Sequence, residues 1–335
     1  MYGGKLYRPF SYTAEVTSRC YSFPLQRIIT DFGADVSFKK VPKKLVEHYG
    51  ISVPVSSAQK ITEKHANHMK NMEELHRDIP DHTGVEWLIC ETDGTMIPIV
   101  DTFEKSEEGT PVDKRKTRSV RWKEGRLALA RRAGQADAVF GGTLGLADMA
   151  GDHLFDCAVR AGFGEQTKAH CVGDGAPWIA EQVERIFCSQ GNFLIDFYHL
   201  CDYLAAASKK CCAADPSGWL DQQKRRIKAG ALNEVINSLA SHEEPETVQD
   251  KDAPVRCCLR YINNRPGQFE YKAAIADNLP IGSGEIESAH RYVIQDRLKI
   301  SGAWWKEKNA ENMLALRIVR ENGDWDKYWE NNKAA

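Results

Sequence analysis

The chain has 335 residues, 42% of them hydrophobic and 27% charged, with a net charge of −2. This composition excludes collagen-like and disordered classes, and no apolar run approaches the roughly 20 residues a membrane helix needs. Ten cysteines occur without one Cys-x-x-Cys, and no signal-peptide pattern opens the chain. The expectation is therefore reduced cysteines, no zinc site and a cytoplasmic location. Basic residues cluster locally at Lys114-Arg115-Lys116 to Lys123, at Lys224-Arg225-Arg226, and at Arg297, Lys299, Lys306 and Lys308. Such clusters are either solvated faces or nucleic-acid contacts.

Residues 1–84 read as a small helical region behind an irregular arm. Leu25 to Ile29 suggests a short helix, and Val41 to Tyr49 another, stopped by Gly50. Ser56 or Ser57 would cap a helix from Ala58 to about Leu75. Helix, glycine turn and capped helix outline either a helix-turn-helix for DNA or a plain helical hairpin.

Residues 85–199 read as a sheet. Trp87 to Cys90 is a continuous apolar run, and Met96 to Val100 a second, with Asp93-Gly94 between them as an expected hairpin turn. Arg121 to Ala130 ends in another strand-like run, Ala136 to Leu144 in an edge piece, and Ala147 to Ala161 in a helix. Lys168 to Val172 is a buried strand, followed by Gly173-Asp174-Gly175 and an amphipathic helix to Phe187 with Pro177 in its first turn. Gly191 to Asp196 is the next strand. Residues 200–280 hold only helical patterns, and residues 281–335 open on Gly282-Ser283-Gly284 and two more helices, from Glu285 and from Ala310.

Three acids stand out by position: Asp93 after the first strand, Asp174 at a strand end, and Glu287 at the start of a helix. Ligands collect at the carboxyl ends of strands in open α/β sheets. Carboxylates from three elements suit Mg²⁺, with Mn²⁺ as substitute, because both take hard oxygen ligands. Paired ions of this kind serve phosphodiester chemistry. Gly173 and Gly175 are expected to leave room there for metal and phosphate. Glu285, two residues from Glu287, is the competing third acid; the two point to different helix faces.

Asp93-Gly94-Thr95, the run Val172 to Ile179, Asp196-Phe197-Tyr198-His199, the run Ile281 to Glu287, Arg297 to Gly302 and Trp305 occur in this order. Together they resemble bacterial insertion-sequence DDE transposases of the Kra type, near the Mutator-like branch. The resemblance covers about Glu86 to Trp329. It implies an α/β fold: a ribonuclease-H-like mixed sheet interrupted by an all-helical insertion. It implies Asp93, Asp174 and Glu287 as a metal-dependent triad that cleaves element ends and joins them to target DNA. Its partners would be double-stranded DNA at terminal inverted repeats and at the target. The protein would act as a homodimer or larger assembly on DNA, in the bacterial cytoplasm at the nucleoid.

Asp196 and His199 match an Asp-x-x-His of that group. His199 would orient a phosphate or a carboxylate, or is simply packed. Lys224, Arg225, Arg226, Lys299 and Trp305 are candidate DNA contacts, against solvated or core roles, and Arg291 either reaches a phosphate of the DNA or pairs with Glu287. The family carries a longer, cysteine-rich amino-terminal region, so a shortened copy is one expectation. A non-catalytic DNA-binding derivative and a structure-specific nuclease of the same fold remain the alternatives.

Overall fold

The computed structural model describes residues 21–102 and 118–332. The basic run Lys114-Arg115-Lys116 and most of the amino-terminal arm lie outside them. Helices α1 (Phe23–Asp35), α2 (Val41–Tyr49) and α3 (Val55–Asn71) come first. They close around Ile29, Val41, Leu45, Val53 and Ala58. Gly50 ends α2 in the left-handed region at φ 65°, which favours glycine. The expected serine cap is absent. Helix α3 starts after Pro54, without a side-chain cap. Its inner face instead carries Ala66 and Met69 into the core beneath the sheet. Burial of that face sets its start.

The strands are β1 (Trp87–Thr102), β2 (Arg118–Arg132), β3 (Val139–Thr143), β4 (Lys168–Gly173) and β5 (Gly191–Ile195). Their order is β3-β2-β1-β4-β5. β1 runs antiparallel to β2, and β2 to β3, while β1, β4 and β5 are parallel. The expected turn at Asp93-Gly94 is not there. Asp93 pairs with Leu127 and Gly94 with Arg126, inside one uninterrupted ladder. Alternation continues through Ile97 and Ile99, both fully buried, so the strand gains more by continuing than by turning. Gly94 has a different use: a Cβ there would sit 2.1 Å from Glu124 Oε1, so its lack lets that side chain cross the strand.

Ala128 and Ala130 on one face pack under α4 (Ala147–Ala161), and α5 (Pro177–Phe187) covers β4 and β5 beside it in the same core. Leu127 and Leu129 on the other face pack toward the carboxyl-terminal helices. After β5 run α6 (Phe197–Cys211), α7 (Pro216–Lys228), α8 (Leu232–Ala240), α9 (Pro254–Asn263) and α10 (Tyr271–Ala276). The chain then enters α11 (Gly284–Ala289), which passes through a π-helical turn (His290–Gln295) into a last α-turn (Asp296–Leu298). Helices α12 (Glu307–Glu321) and α13 (Trp325–Asn331) finish the fold. Among the described residues no helix is long and apolar enough to cross a membrane, and the nine described cysteines are all free.

Candidate active site

Glu91 is level with Val172, and Gly173 with Ile195. Continuing those ladders puts Asp93, Asp174 and Asp196 in one row across three neighbouring strands. The row stands where β4 and β5 end and their helices begin, while β1 runs on past it to Thr102. Neighbouring strands lie about 4.8 Å apart.

Asp93 is one-third exposed. Its Oδ1 accepts from its neighbour Gly94 N at 2.6 Å, and its Oδ2 lies 3.4 Å from His290 Nε2. Asp174 is half-buried, and its Oδ1 accepts from Ala176 N at 2.8 Å, an Asx turn into α5. Two residues that the sequence did not mark hold this turn from behind. Tyr261 Oη donates to Asp174 O at 2.7 Å, and Arg265 Nε donates to Gly175 O at 2.8 Å. The Arg265 guanidinium stacks on the Tyr261 ring, 4.0 Å from its centroid. The expected free room at the glycines is therefore corrected. Gly175 has φ +84°, and a Cβ there would lie within 2.8 Å of Ile195, Tyr261 and Arg265. The glycine admits protein side chains, not a ligand.

Asp196 is buried, and both its oxygens are engaged. Oδ1 accepts from Tyr198 N at 2.6 Å and His199 N at 3.0 Å, capping α6. Oδ2 accepts from Ser283 N at 2.6 Å and Ser283 Oγ at 2.7 Å. Asp196 thus ties the end of β5 to the turn before α11. His199 lies in the first turn of α6, its ring near those of Tyr203 and Tyr261.

Glu91 was also missed. A glutamate beside a fully apolar run is the signal that could have found it. It is buried, and Oε2 accepts from Ile286 N at 2.8 Å, at the start of α11. Burial pushes its carboxyl up to about 8, with the Ile286 N–H pulling it down and Glu285 pushing it further up.

Of the two rival acids on α11, Glu285 pairs with Arg131 at 2.5 Å. Glu287 is exposed and lines an open cavity of about 350 Å³ with Asp196, Tyr198 and Gly282. Among the described residues no three His, Cys, Asp or Glu side chains converge closely enough to hold a metal ion. The donors are nevertheless of the kind a hard cation takes. Asp93 and Asp174 share a level, and Glu287 is open to solvent on the helix that Asp196 and Glu91 anchor.

The other marked residues are spread widely. Lys299 Nζ donates to Thr95 Oγ1 at 2.5 Å, next to the row, and partial burial lowers its pKa. Arg291 is exposed on the π-turn. Lys224, Arg225 and Arg226 lie on α7, with Arg226 held by Glu234 at 3.1 Å. The stacking expected of Trp305 is corrected: its ring is 5% exposed, its Nε1 donates to Leu298 O at 3.0 Å, and Arg297 covers it. Burial in the core leaves no face for a base. Trp304 is the exposed neighbour, under the Arg118 guanidinium.

Residues 163–333 match the profile of UPF0236, an uncharacterised protein family. A UPF0236 protein of Caldanaerobacter subterraneus subsp. tengcongensis is 32% identical over 161 residues, 47% of this chain and 32% of the relative. A second, from the same bacterium, is 31% identical over 161 residues, 47% of this chain and 31% of the relative; its name joins eleven gene labels. The chain thus spans about a third of the length of these curated relatives. A solved structure titled "Drosophila P element transposase strand transfer complex" is similar at 9% identity, over 97% of this chain and 84% of that chain, with a TM-score of 0.32. The profile match takes in just over half of the sequence, and the chain belongs to the UPF0236 family.

Proposed function

We propose that this chain is a DNA transposase of the insertion-sequence DDE type, built on a ribonuclease-H-like core. The observation that carries the reading is the row formed by Asp93 within β1, Asp174 just after β4 and Asp196 just after β5, with the Glu287 helix anchored to the same row. The strand order and directions are those such a core requires. A relative bearing eleven gene labels in one bacterium fits a gene that multiplies within a genome. Residues 200–280 act as the helical insertion between 85–199 and 281–335, and residues 1–84 as the DNA-recognition region through α2 and α3.

In this reading Asp93, Asp174 and Glu287 hold Mg²⁺ or Mn²⁺. Divalent ions there supply charge neutralisation at the attacking and leaving oxygens of a phosphodiester. Tyr261 and Arg265 keep the Asp174 turn rigid, and Asp196 with Glu91 keeps the Glu287 helix in place. Lys299, held on Thr95 two residues along β1 from Asp93, serves as a cation for a phosphate, with Arg291 one turn past Glu287. His199 flanks the Asp174 turn through Tyr261. The substrate is double-stranded DNA, element ends and target, bound by a dimer or larger assembly.

The lack of a converged three-residue metal cluster among the described residues favours a second reading, a DNA-binding derivative without catalysis. One assay separates them. Labelled terminal-repeat DNA is incubated with the protein, Mg²⁺ or Mn²⁺ and a plasmid. Joined product supports the transposase, cut but unjoined DNA a nuclease, and shifted but uncut DNA the derivative. Asp93→Asn or Asp174→Asn should abolish cutting while leaving the fold intact. Cutting retained in Asp174→Asn would sink the assignment.

A further inference from the structure

Strand β1 meets helix α11 at two points. Glu91 and Asp93 share one face of the strand, about 6.7 Å apart along it. Ile286 and His290 are four residues apart, about 6 Å along the helix. The matched spacings bring Glu91 to the Ile286 N–H and Asp93 to the His290 ring. The first meeting is a formed hydrogen bond. The second is not: Nε2 lies 3.4 Å from Asp93 Oδ2, and neither ring nitrogen of His290 has a hydrogen-bond partner among the described residues.

His290 is 3% exposed, so both nitrogens are cut off from solvent. Leaving a buried polar group unpaired costs on the order of 1–3 kcal/mol, and each such group calls for an explanation. This one sits at the first position of the π-helical turn. Turns of that kind recur at functional sites. Hydrogen bonds around a reacting centre are often long in the ligand-free state and tighten when the centre is loaded.

We propose that His290 is a positioning residue: its Nε2–H donates to Asp93 Oδ2 and orients the carboxylate toward a divalent cation. Gly94 N holds the other oxygen, so the two donors together fix the plane of the carboxylate and leave a lone pair on each oxygen for a cation. The proposal rests on the reading of Asp93 as a metal ligand. Carboxylate ligands are themselves held by hydrogen bonds, and loss of such a partner weakens metal affinity about 10–100-fold.

The test is Mn²⁺ binding to the full chain, by electron paramagnetic resonance and calorimetry, alongside thermal melts. His290→Leu should lower Mn²⁺ affinity about 10–100-fold, and His290→Gln, whose amide nitrogen can stand where Nε2 stood, should restore most of it. A purely packing role would make the two variants alike in Mn²⁺ affinity and would overturn the proposal. Asp93→Asn is the control. If it loses Mn²⁺ while His290→Leu keeps it, only the His290 assignment falls. If the wild type binds no Mn²⁺, the metal reading falls and takes this one with it. Should His290→Leu fail to fold, nitrogen-15 spectra of the wild-type ring decide: a proton on Nε2 supports the proposal, and a proton on Nδ1 alone overturns it.

Discussion

Asp196 and Ser283 are 87 residues apart in the chain, yet one carboxylate oxygen accepts from both the backbone N–H and the hydroxyl of the serine. The other oxygen caps α6. One buried side chain therefore joins the end of the sheet, the start of the helical segment and the turn before the Glu287 helix.

Asp196→Asn should destabilise the protein by about 2–3 kcal/mol, because an amide turns a donor toward groups that already donate. Ser283→Ala removes only the hydroxyl and should cost about 1 kcal/mol. Urea unfolding checks both. In the transposase reading proposed above, cleavage should fall in the same order, since both changes loosen the turn before the Glu287 helix. An Asp196→Asn protein as stable and active as wild type would refute the role of a tie.

Gly175→Ala should cost about 2–4 kcal/mol, summing a left-handed backbone and a clash. Gly50→Ala, where φ is +65° and nothing among the described residues lies within 4 Å of a Cβ, should cost only about 1 kcal/mol. The contrast isolates the close approach of Tyr261 and Arg265. Equal losses in urea melts would mean that the approach is unimportant.

His65 couples pH to stability. It is buried, with Nδ1 2.9 Å from Tyr328 Oη and Nε2 3.1 Å from Gln26 Oε1. Burial, then the charges of Lys64 and His68, push it down to about 4 from 6.5. The unfolded chain thus binds a proton there first. The contribution is full above pH 6.5 and is lost as pH falls toward 4. About 2 kcal/mol should disappear between pH 7 and pH 5. His65→Gln should flatten that slope, and an unchanged slope would show that other groups control it.

The basic run on α7 makes a prediction about salt. If Lys224, Arg225 and Arg226 touch phosphates, replacing them by Gln should weaken DNA binding and flatten its log–log salt slope by about 0.9 per contact. Arg226 already has Glu234 as a partner, so Arg225, which is exposed, should carry more of the effect. An unchanged slope would leave the run as a solvated face.

Much of the architecture was legible in the sequence because burial writes a period into it. Helix Ala147–Ala161 and helix Val41–Tyr49 were read to the residue, each followed by a left-handed glycine. The Asp93-Gly94 turn was misread because the local dipeptide signal competes with a ladder set by distant Leu127 and Arg126. Short α10 and α13 were missed, having too few turns to show a period. At the candidate site, Asp174 was visible by its position at a strand end, while Asp93, expected after the first strand, lies inside it. Tyr261, Arg265, Glu91 and His290 were not visible, because each acts across a long stretch of chain and nothing nearby in sequence marks its target. Glycine beside Asp174 was read as space for a ligand when it is space for Tyr261 and Arg265.

The Asp196–Ser283 tie has a consequence for how such a chain can change over generations. The helical segment departs and returns within one side chain's reach, so its ends are as close as those of a hairpin. Closing a longer loop costs only about 0.6 kcal/mol per doubling of length. Helices can thus be added or lost between the two points without re-threading the sheet. What any replacement must keep is a grip on the Asp174 turn, supplied here by Tyr261 and Arg265. The tie makes the segment an exchangeable cassette, and the grip sets the terms of exchange.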